Sequence, residues 1–299
     1  MRGAIARCPP AVNSAGIMSV GNYGNGGMTI ADGGNAQAFN IFVGSGETGV
    51  GDILVSGVAA NGIRSGLLSA GSLYVGDNND SVGGQPVNAG QGVLTVADDG
   101  VVTASQVYIG GRGGTGTVTV QGVNASGQEA QLNAEDVVVG MDSKGTLNII
   151  DGGSVTDRST IVGYDYGSTG SVLVSGTGSY LDTGSQLDPN GLLIGRSGQG
   201  TLVVADGATV MSPTIELAEY ADAIGRLDIG NGGLAGTLDT ASITGGAGVA
   251  SVDFNHSDDI DFAPVLSGRL GVYKSNSSTT TLSSVNDYVG PTAVQAGTL

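Results

Sequence analysis

The feature that most constrains this chain is a short motif, apolar–x–apolar–Gly, that returns along most of its length. It reads MSVG at 18–21, IFVG at 41–44, LYVG at 73–76, VYIG at 107–110, VVVG at 137–140, TIVG at 160–163 and LLIG at 192–195. An eighth copy, IELA at 215–218, carries Ala218 in place of the glycine. The final positions are spaced 23, 32, 34, 30, 23, 32 and 23 residues apart. Self-similarity at such spacing belongs to repeat architectures, in which one unit cannot bury its apolar side alone.

A second motif follows each copy of the first: Gly–x–apolar–x–apolar and then a turn. Examples are GGMTIADGG at 26–34, GVLTVADDG at 92–100, GTLNIIDGG at 145–153 and GTLVVADGA at 200–208; GDILVSG at 51–57, GTVTVQG at 116–122 and GSVLVSG at 170–176 are variants. A third apolar patch often comes next, as VVTAS at 101–105 or ATVMS at 208–212. Each unit thus offers about three short strands. Alternation such as Leu147/Ile149 and Leu202/Val204 turns one side of a strand inward. The pairs Asp32-Gly33, Asp99-Gly100, Asp151-Gly152 and Asp206-Gly207 supply turn residues that accept positive φ. All seven prolines lie outside the two strand motifs, as ladder hydrogen bonding requires. Only 129–136 and 215–224 read as weak helix candidates.

Stacking equivalent strands about 4.8 Å apart would pair their backbones and enclose a continuous dry core. The expected fold is therefore all-β, a right-handed parallel β-helix with about three short strands per coil. The 23-residue units suit one bare coil, and the 30–34-residue units need a longer loop or an extra strand. The competing architecture is an antiparallel sandwich or barrel built from hairpins. Three regions are expected: an irregular lead-in at 1–17, repeated coils at 18–245 and C-terminal coils at 246–299.

Composition supports the solenoid and removes several functions. Glycine supplies 56 of 299 residues, far above the usual share of about 7%, yet without the strict third-position period of collagen. Aromatic residues make up 4%, which suits a thin core of β-branched side chains. One cysteine, Cys8, permits no internal disulfide and no Cys-rich zinc site; one histidine, His256, excludes a multi-His metal site. Ten basic against 27 acidic residues, with no basic cluster, argue against nucleic acid and against an anionic membrane surface. No apolar run reaches the 18 residues of a membrane-spanning helix. The N-terminal stretch lacks a continuous apolar segment of signal-peptide length, so any export signal is expected outside this chain.

The motifs resemble those of bacterial type V autotransporter passenger domains. VLVSGTGSYLDTGSQLDPNGLLIGRSGQG at 172–200 and TLNIIDGGSVTDRSTIVG at 146–163 look like the two alternating unit types of such passengers. The segment STTTLSSVNDYVGPTAVQAGTL at 278–299 is similar to the passenger-associated repeat found near the barrel-proximal end. Thr281, Leu282, Asn286, Tyr288, Gly290, Thr292, Val294, Gly297, Thr298 and Leu299 fit its pattern. The resemblance implies a surface-displayed or secreted passenger, an adhesive stalk whose loops make weak multivalent contacts. It implies a cell-surface location, an outer-membrane β-barrel in the full-length protein, and an autochaperone-like role for the last coils. Partners would be a host surface, a glycan or further copies of the chain.

Candidate chemistry is sparse, and no catalytic, cofactor or metal residue is assigned. His256-Ser257-Asp258-Asp259-Ile260-Asp261 could serve glycoside hydrolysis through paired carboxylates, but a solvated acidic turn is the plainer account. Asp77-Asn78-Asn79-Asp80-Ser81 offers hard oxygens without the glycine and terminal glutamate of a calcium loop. Cys8 has no histidine near it in sequence. GRGGTG at 111–116 reads as a turn, because no Walker lysine follows. Asn124, Asn255 and Asn276 match a glycosylation pattern, here read as chance. Tyr164, Tyr166 and Tyr180 near turns, with Tyr220, could stack on sugars if they share one face. Two alternatives to the adhesive stalk remain: a secreted polysaccharide-acting enzyme, whose cleft would need two acids and a base from adjacent coils, and an inert spacer.

Overall fold

The computed structural model describes residues 4–7, 12–13, 16–77, 90–123, 127–184 and 191–299. Among the described residues there are 28 strands and no helix. Twenty-six of the strands belong to one hydrogen-bonded sheet, and every pairing between them is parallel. Each strand pairs with its equivalent in the preceding and following coil, so the chain is a parallel β-helix. Among the described residues antiparallel pairing occurs as single bridges, at Val58–Arg64 and Val123–Glu129 within loops and at Ala205–Ala235 between the end of a first-ladder strand and a later loop.

Three ladders run along the axis. The first passes through Asn25–Ala31, Val50–Ser56, Gln91–Ala97, Thr115–Gln121, Lys144–Ile150, Thr169–Ser175, Gln199–Ala205 and Ile224–Ile229, then the second halves of Ser242–Phe254 and Val265–Lys274. The second holds the third apolar patches, including Ser154–Asp157, Tyr180–Thr183 and Thr209–Met211. The third holds the apolar–x–apolar–Gly motif. Val20, Val43, Val75, Ile109, Val139, Val162, Ile194 and Leu217 occupy one register position in eight successive coils. Within residues 1–17, Ala4–Arg7 and Val12–Asn13 pair with the first full coil.

Alternation places the core. In the first ladder Leu94, Val118, Leu147, Val172, Leu202, Leu227 and Val252 share a register position and none has any exposed surface. Each such side chain contributes roughly 1.5–3 kcal/mol of burial. In the coil between Gly44 and Gly76 the extra length lies in a loop, around 57–65, between the first and second ladders. Arg64 in that loop reaches later coils: its Nε donates to the Asp99 carbonyl at 2.8 Å, its Nη1 to Gln131 Oε1 at 3.2 Å and its Nη2 to the Glu129 carbonyl.

Neither helix candidate is helical. Gln131–Val139 is one continuous strand serving the second and third ladders, and Ile215–Leu217 and Ile224–Ile229 flank a bend at Tyr220. Register pairing with both neighbouring coils outweighs the weak helix propensity of their Glu and Ala residues. One turn also differs. At Asp32-Gly33, Asp151-Gly152 and Asp206-Gly207 both residues have positive φ, but in the equivalent turn the pair is Asp98-Asp99, at 44° and 73°, rather than Asp99-Gly100. The hydrogen bond from Gly100 N to Ala97 O closes that turn one residue earlier than the Asp-Gly dipeptide suggests.

Glycine sets the corner between the third and first ladders. Gly110 has φ +74°, and a Cβ there would stand 2.1 Å from the carbonyl oxygen of Lys144 in the next coil. The corner glycines of the other copies meet the first ladder in the same way. Ala218 is the exception: it keeps φ +56°, and the coil above it starts through Gly246 and Gly248, a Cβ on Gly248 falling 3.0 Å from the Ala218 methyl. The glycine has moved to the neighbouring coil.

The interior is not wholly apolar. Asp157 and Thr183 occupy the same inward register position on successive coils. Asp157 is buried, accepts a hydrogen bond from Thr160 Oγ1, and leaves Oδ1 without a partner. Burial pushes its carboxyl up to about 8, against the lowering effect of the Thr160 bond; the carboxylates of Asp136 and Asp182 push the same way as burial.

Two outcomes follow from the packing. Gly110→Ala should lose about 2 kcal/mol or more through the clash and the positive φ, whereas Ala218→Gly should cost far less, because it relieves a strained φ while losing one buried methyl. Urea midpoints would show the difference. For Asp157, the folded chain holds a proton that the unfolded chain releases above pH about 4. The Asp157 contribution to stability should therefore fall as pH rises from about 4 to about 8, and Asp157→Asn should remove that part of the slope. Urea titrations of both proteins across this range would check it.

Candidate groove on the third ladder

The outward residues of the third ladder form a column. Phe42, Tyr74, Tyr108, Val138, Ile161, Leu193 and Glu216 are aligned in successive coils. The first three are rings stacked on one another: Phe42–Tyr74 at 4.7 Å between centroids and 4° between planes, Tyr74–Tyr108 at 5.1 Å and 18°. These distances are close to the strand spacing, so the backbone ladder sets the stacking. The column then steps down to aliphatic side chains. One face of Tyr108 is covered by Tyr74, and the other looks along the axis over Val138.

A groove of about 550 Å³ occupies that step, within the range of roughly 300–1,000 Å³ found for ligand sites. Its floor is Val138, Ile161 and Leu193, and Tyr108 stands at one end. One wall carries Gln106, Asp136 and Arg158; the other carries Met141, Tyr164, Arg196 and Glu219. The charges are matched across coils. Arg158 Nη2 donates to Asp136 Oδ1 at 3.1 Å, Arg196 Nε lies 3.7 Å from Glu219 Oε2, and the Arg196 guanidinium sits 4.3 Å above the Tyr164 ring. The Tyr108 hydroxyl donates to Gln106 Oε1 at 3.0 Å. Burial raises the Tyr108 hydroxyl above its ordinary value, with Tyr74, Asp136 and Tyr164 adding to the effect. Burial, and then the Glu219 carboxylate, raise Glu216.

The groove holds acids and bases from neighbouring coils, as a hydrolytic cleft would. Their spacing is wrong for a carboxylate pair formed by Asp136 and Glu216. Val137 and Ile215, their neighbours in the ladder, are three coil steps apart, about 14 Å along the axis. Glycoside hydrolysis needs about 5–9.5 Å, and Asp136 and Glu219 each face a guanidinium.

The residues singled out from sequence are mostly elsewhere. Tyr164 and Tyr220 flank Arg196, which lies 5.7 Å from the Tyr220 ring. Tyr166 is 80% exposed, and Tyr180 lies on the second ladder beside Met211. His256 is fully buried: Nε2 pairs with Thr280 Oγ1 at 2.7 Å and Nδ1 with the Asp258 carbonyl at 2.6 Å. Asp258 Oδ1 accepts from Ala235 N and Asp259 Oδ1 from Thr279 N, so these acids fasten coils together. Burial lowers His256 below its ordinary value. Gly111–Gly114 is a turn closed by Gly114 N donating to Gly111 O at 2.8 Å. Cys8, Asn78 to Ser81 and Asn124 lie outside the described residues. Asn276 Nδ2 donates to the Gly232 carbonyl at 3.3 Å. Sequence reasoning missed the groove, although its column is the variable second position of the first motif.

The chain is similar to the adhesin BmaC autotransporter of Brucella suis biovar 1 (strain 1330), at 29% identity over 225 residues, covering 71% of this chain and 6% of that protein. It is also similar to the uncharacterized lipoprotein YdeK of Escherichia coli (strain K12), at 28% identity over 245 residues, 68% of this chain and 18% of that protein. The chain thus spans a small part of both relatives. No family model matches the chain, and no solved structure matches it.

The column makes a direct forecast. Val138→Tyr adds a fourth ring against Tyr108 and should fold normally, with stability unchanged or raised by up to about 1 kcal/mol. A urea midpoint clearly below that of the parent chain would show that the step in the column is not open space.

Proposed function

We propose that the chain is a stretch of a surface-displayed or secreted autotransporter passenger, a stiff adhesive stalk rather than an enzyme. The likeness to an autotransporter adhesin over 71% of the chain carries this reading, and the in-register parallel coils support it. Ten steps of the first ladder from Asn25 onward give a rod about 50 Å long. Weak contacts repeated along such a rod gain strength by effective concentration. The groove offers one of them.

The proposal extends to the ends. Residues 1–17 serve as a lead-in, 18–245 as the coils of the stalk and 246–299 as a distinct C-terminal section that nucleates folding during secretion. The register irregularity between Gly245 and Ala250 supports that last division. Residues matching the passenger-associated repeat hold the final coil: Asn286 Oδ1 accepts from Leu266 N at 2.7 Å, the Tyr288 hydroxyl pairs with Thr292 Oγ1 at 2.8 Å, and a Cβ on Gly290 would stand 2.1 Å from the Leu270 carbonyl oxygen. An outer-membrane β-barrel in the full-length protein would anchor the stalk at the cell surface.

The purified chain, immobilised at a density that permits multivalent contact, should retain cells or further copies of itself, and the free chain should compete. Retention of neither, with the β-sheet circular dichroism of the folded chain intact, would overturn the adhesive role and leave a spacer.

A further inference from the structure

We infer that the third-ladder groove is a saccharide site that takes a short unbranched neutral oligosaccharide, one unit of which packs on the free face of Tyr108 with its ring across the rod axis. This rests on the adhesive reading and names the class of ligand for one contact. Four observations carry it. First, the column of stacked rings ends at Tyr108, and the step beyond it presents a ring face over an apolar floor of Val138, Ile161 and Leu193. A pyranose has an apolar C–H face that packs on an aromatic ring while its hydroxyls point outward. Second, the walls carry planar polar groups, the amide of Gln106, the carboxylates of Asp136, Glu216 and Glu219, and the guanidiniums of Arg158 and Arg196. Such groups donate to or accept from neighbouring hydroxyls in pairs.

Third, charge decides between sugar classes. Both arginines already face carboxylates, at 3.1 Å for Arg158 and 3.7 Å for Arg196. The five charged walls sum to one negative charge, in a chain of net charge −17. An acidic sugar would meet a field of its own sign. Fourth, the backbone argues against an extended peptide. The third-ladder strands along the floor are paired on both sides by neighbouring coils, so no strand edge is open for strand addition.

The test is calorimetric titration of the folded full chain with short unbranched neutral oligosaccharides, with acidic oligosaccharides of equal length in parallel. Neutral chains should bind, acidic ones should bind at least about tenfold more weakly, and Tyr108→Ala should cost about tenfold or more. Val138→Tyr, which fills the groove while keeping Tyr108, should abolish binding. Tyr180→Ala, on the second ladder, should leave it intact. Neutral-sugar binding that survives Val138→Tyr would overturn the location. Tighter binding of acidic chains would overturn the ligand class. Cell or self-retention with no binding of any oligosaccharide would overturn the saccharide site and leave the adhesive role standing; failure of both would remove the two together.

Discussion

The close approach of the third ladder to the first governs this molecule. At the corner after each apolar–x–apolar triplet the chain reverses so tightly that a backbone carbonyl of the next coil lies where a side chain would begin, 2.1 Å from a Cβ on Gly110. The strand above it carries its own glycine at the second position, and a Cβ on Gly145 would fall 2.2 Å from Gly140 N. The two glycine columns interlock. They fix the register of the first ladder against the third, and register in turn decides which side chains face inward. This is why glycine is abundant in a chain that is neither disordered nor collagenous. Ala218 shows the constraint belongs to the pair of coils rather than to one residue, since Gly248 makes the room that the corner lacks.

A solenoid built this way has a one-dimensional core, and its polar exceptions sit at defined places. Asp157 and Thr183 face inward on successive coils near the middle. Toward the C-terminal end, Lys274 takes the register position of Phe254 and is fully buried. Its Nζ donates to the Asn276 carbonyl at 2.6 Å and to Ser278 Oγ at 3.1 Å, beside the buried His256. Burial lowers Lys274 below its ordinary value. The inward ammonium is thus matched by a backbone carbonyl and a hydroxyl, both able to accept. Asp157, an acceptor when ionised, has Thr160 as the donor to its side chain, and burial outweighs that bond and raises the carboxyl.

Much of the fold was legible because the strands of the third ladder are written almost identically eight times. Spacing of 23 to 34 residues between copies became spacing between coils, and the alternation at Leu147/Ile149 and Leu202/Val204 marked the inward side. What failed was local reading. Residues 129–136 and 215–224 carry Glu and Ala in helix-like order, yet each is committed to ladder hydrogen bonds with coils on both sides. The dipeptide Asp99-Gly100 looked like its three counterparts, but Asp98 entered the turn and shifted it by one residue. The groove escaped for another reason. It is made of residues from coils roughly 20–30 positions apart, each unremarkable in its own segment. The information was present in the motif itself: its second position reads Ser19, Phe42, Tyr74, Tyr108, Val138, Ile161, Leu193, Glu216.

That sequence of residues explains why a recognition surface can arise on so regular a scaffold. The inward positions of the ladder are nearly uniform, because each must fill the same cross-section. The outward positions are free to vary, and a change in side-chain size from one coil to the next becomes relief on the surface. From Tyr108 to Val138 the column loses a ring, and the depression that results is bounded by whatever the flanking corners supply. Here they supply Tyr164, Arg196 and Glu219, the residues that follow the corner positions Gly163, Gly195 and Ala218. The groove is therefore set by the same corners that set the register. A substitution at a corner glycine would disturb the rod and the wall of the groove together, whereas a substitution in the outward column would alter recognition and leave the coils in place.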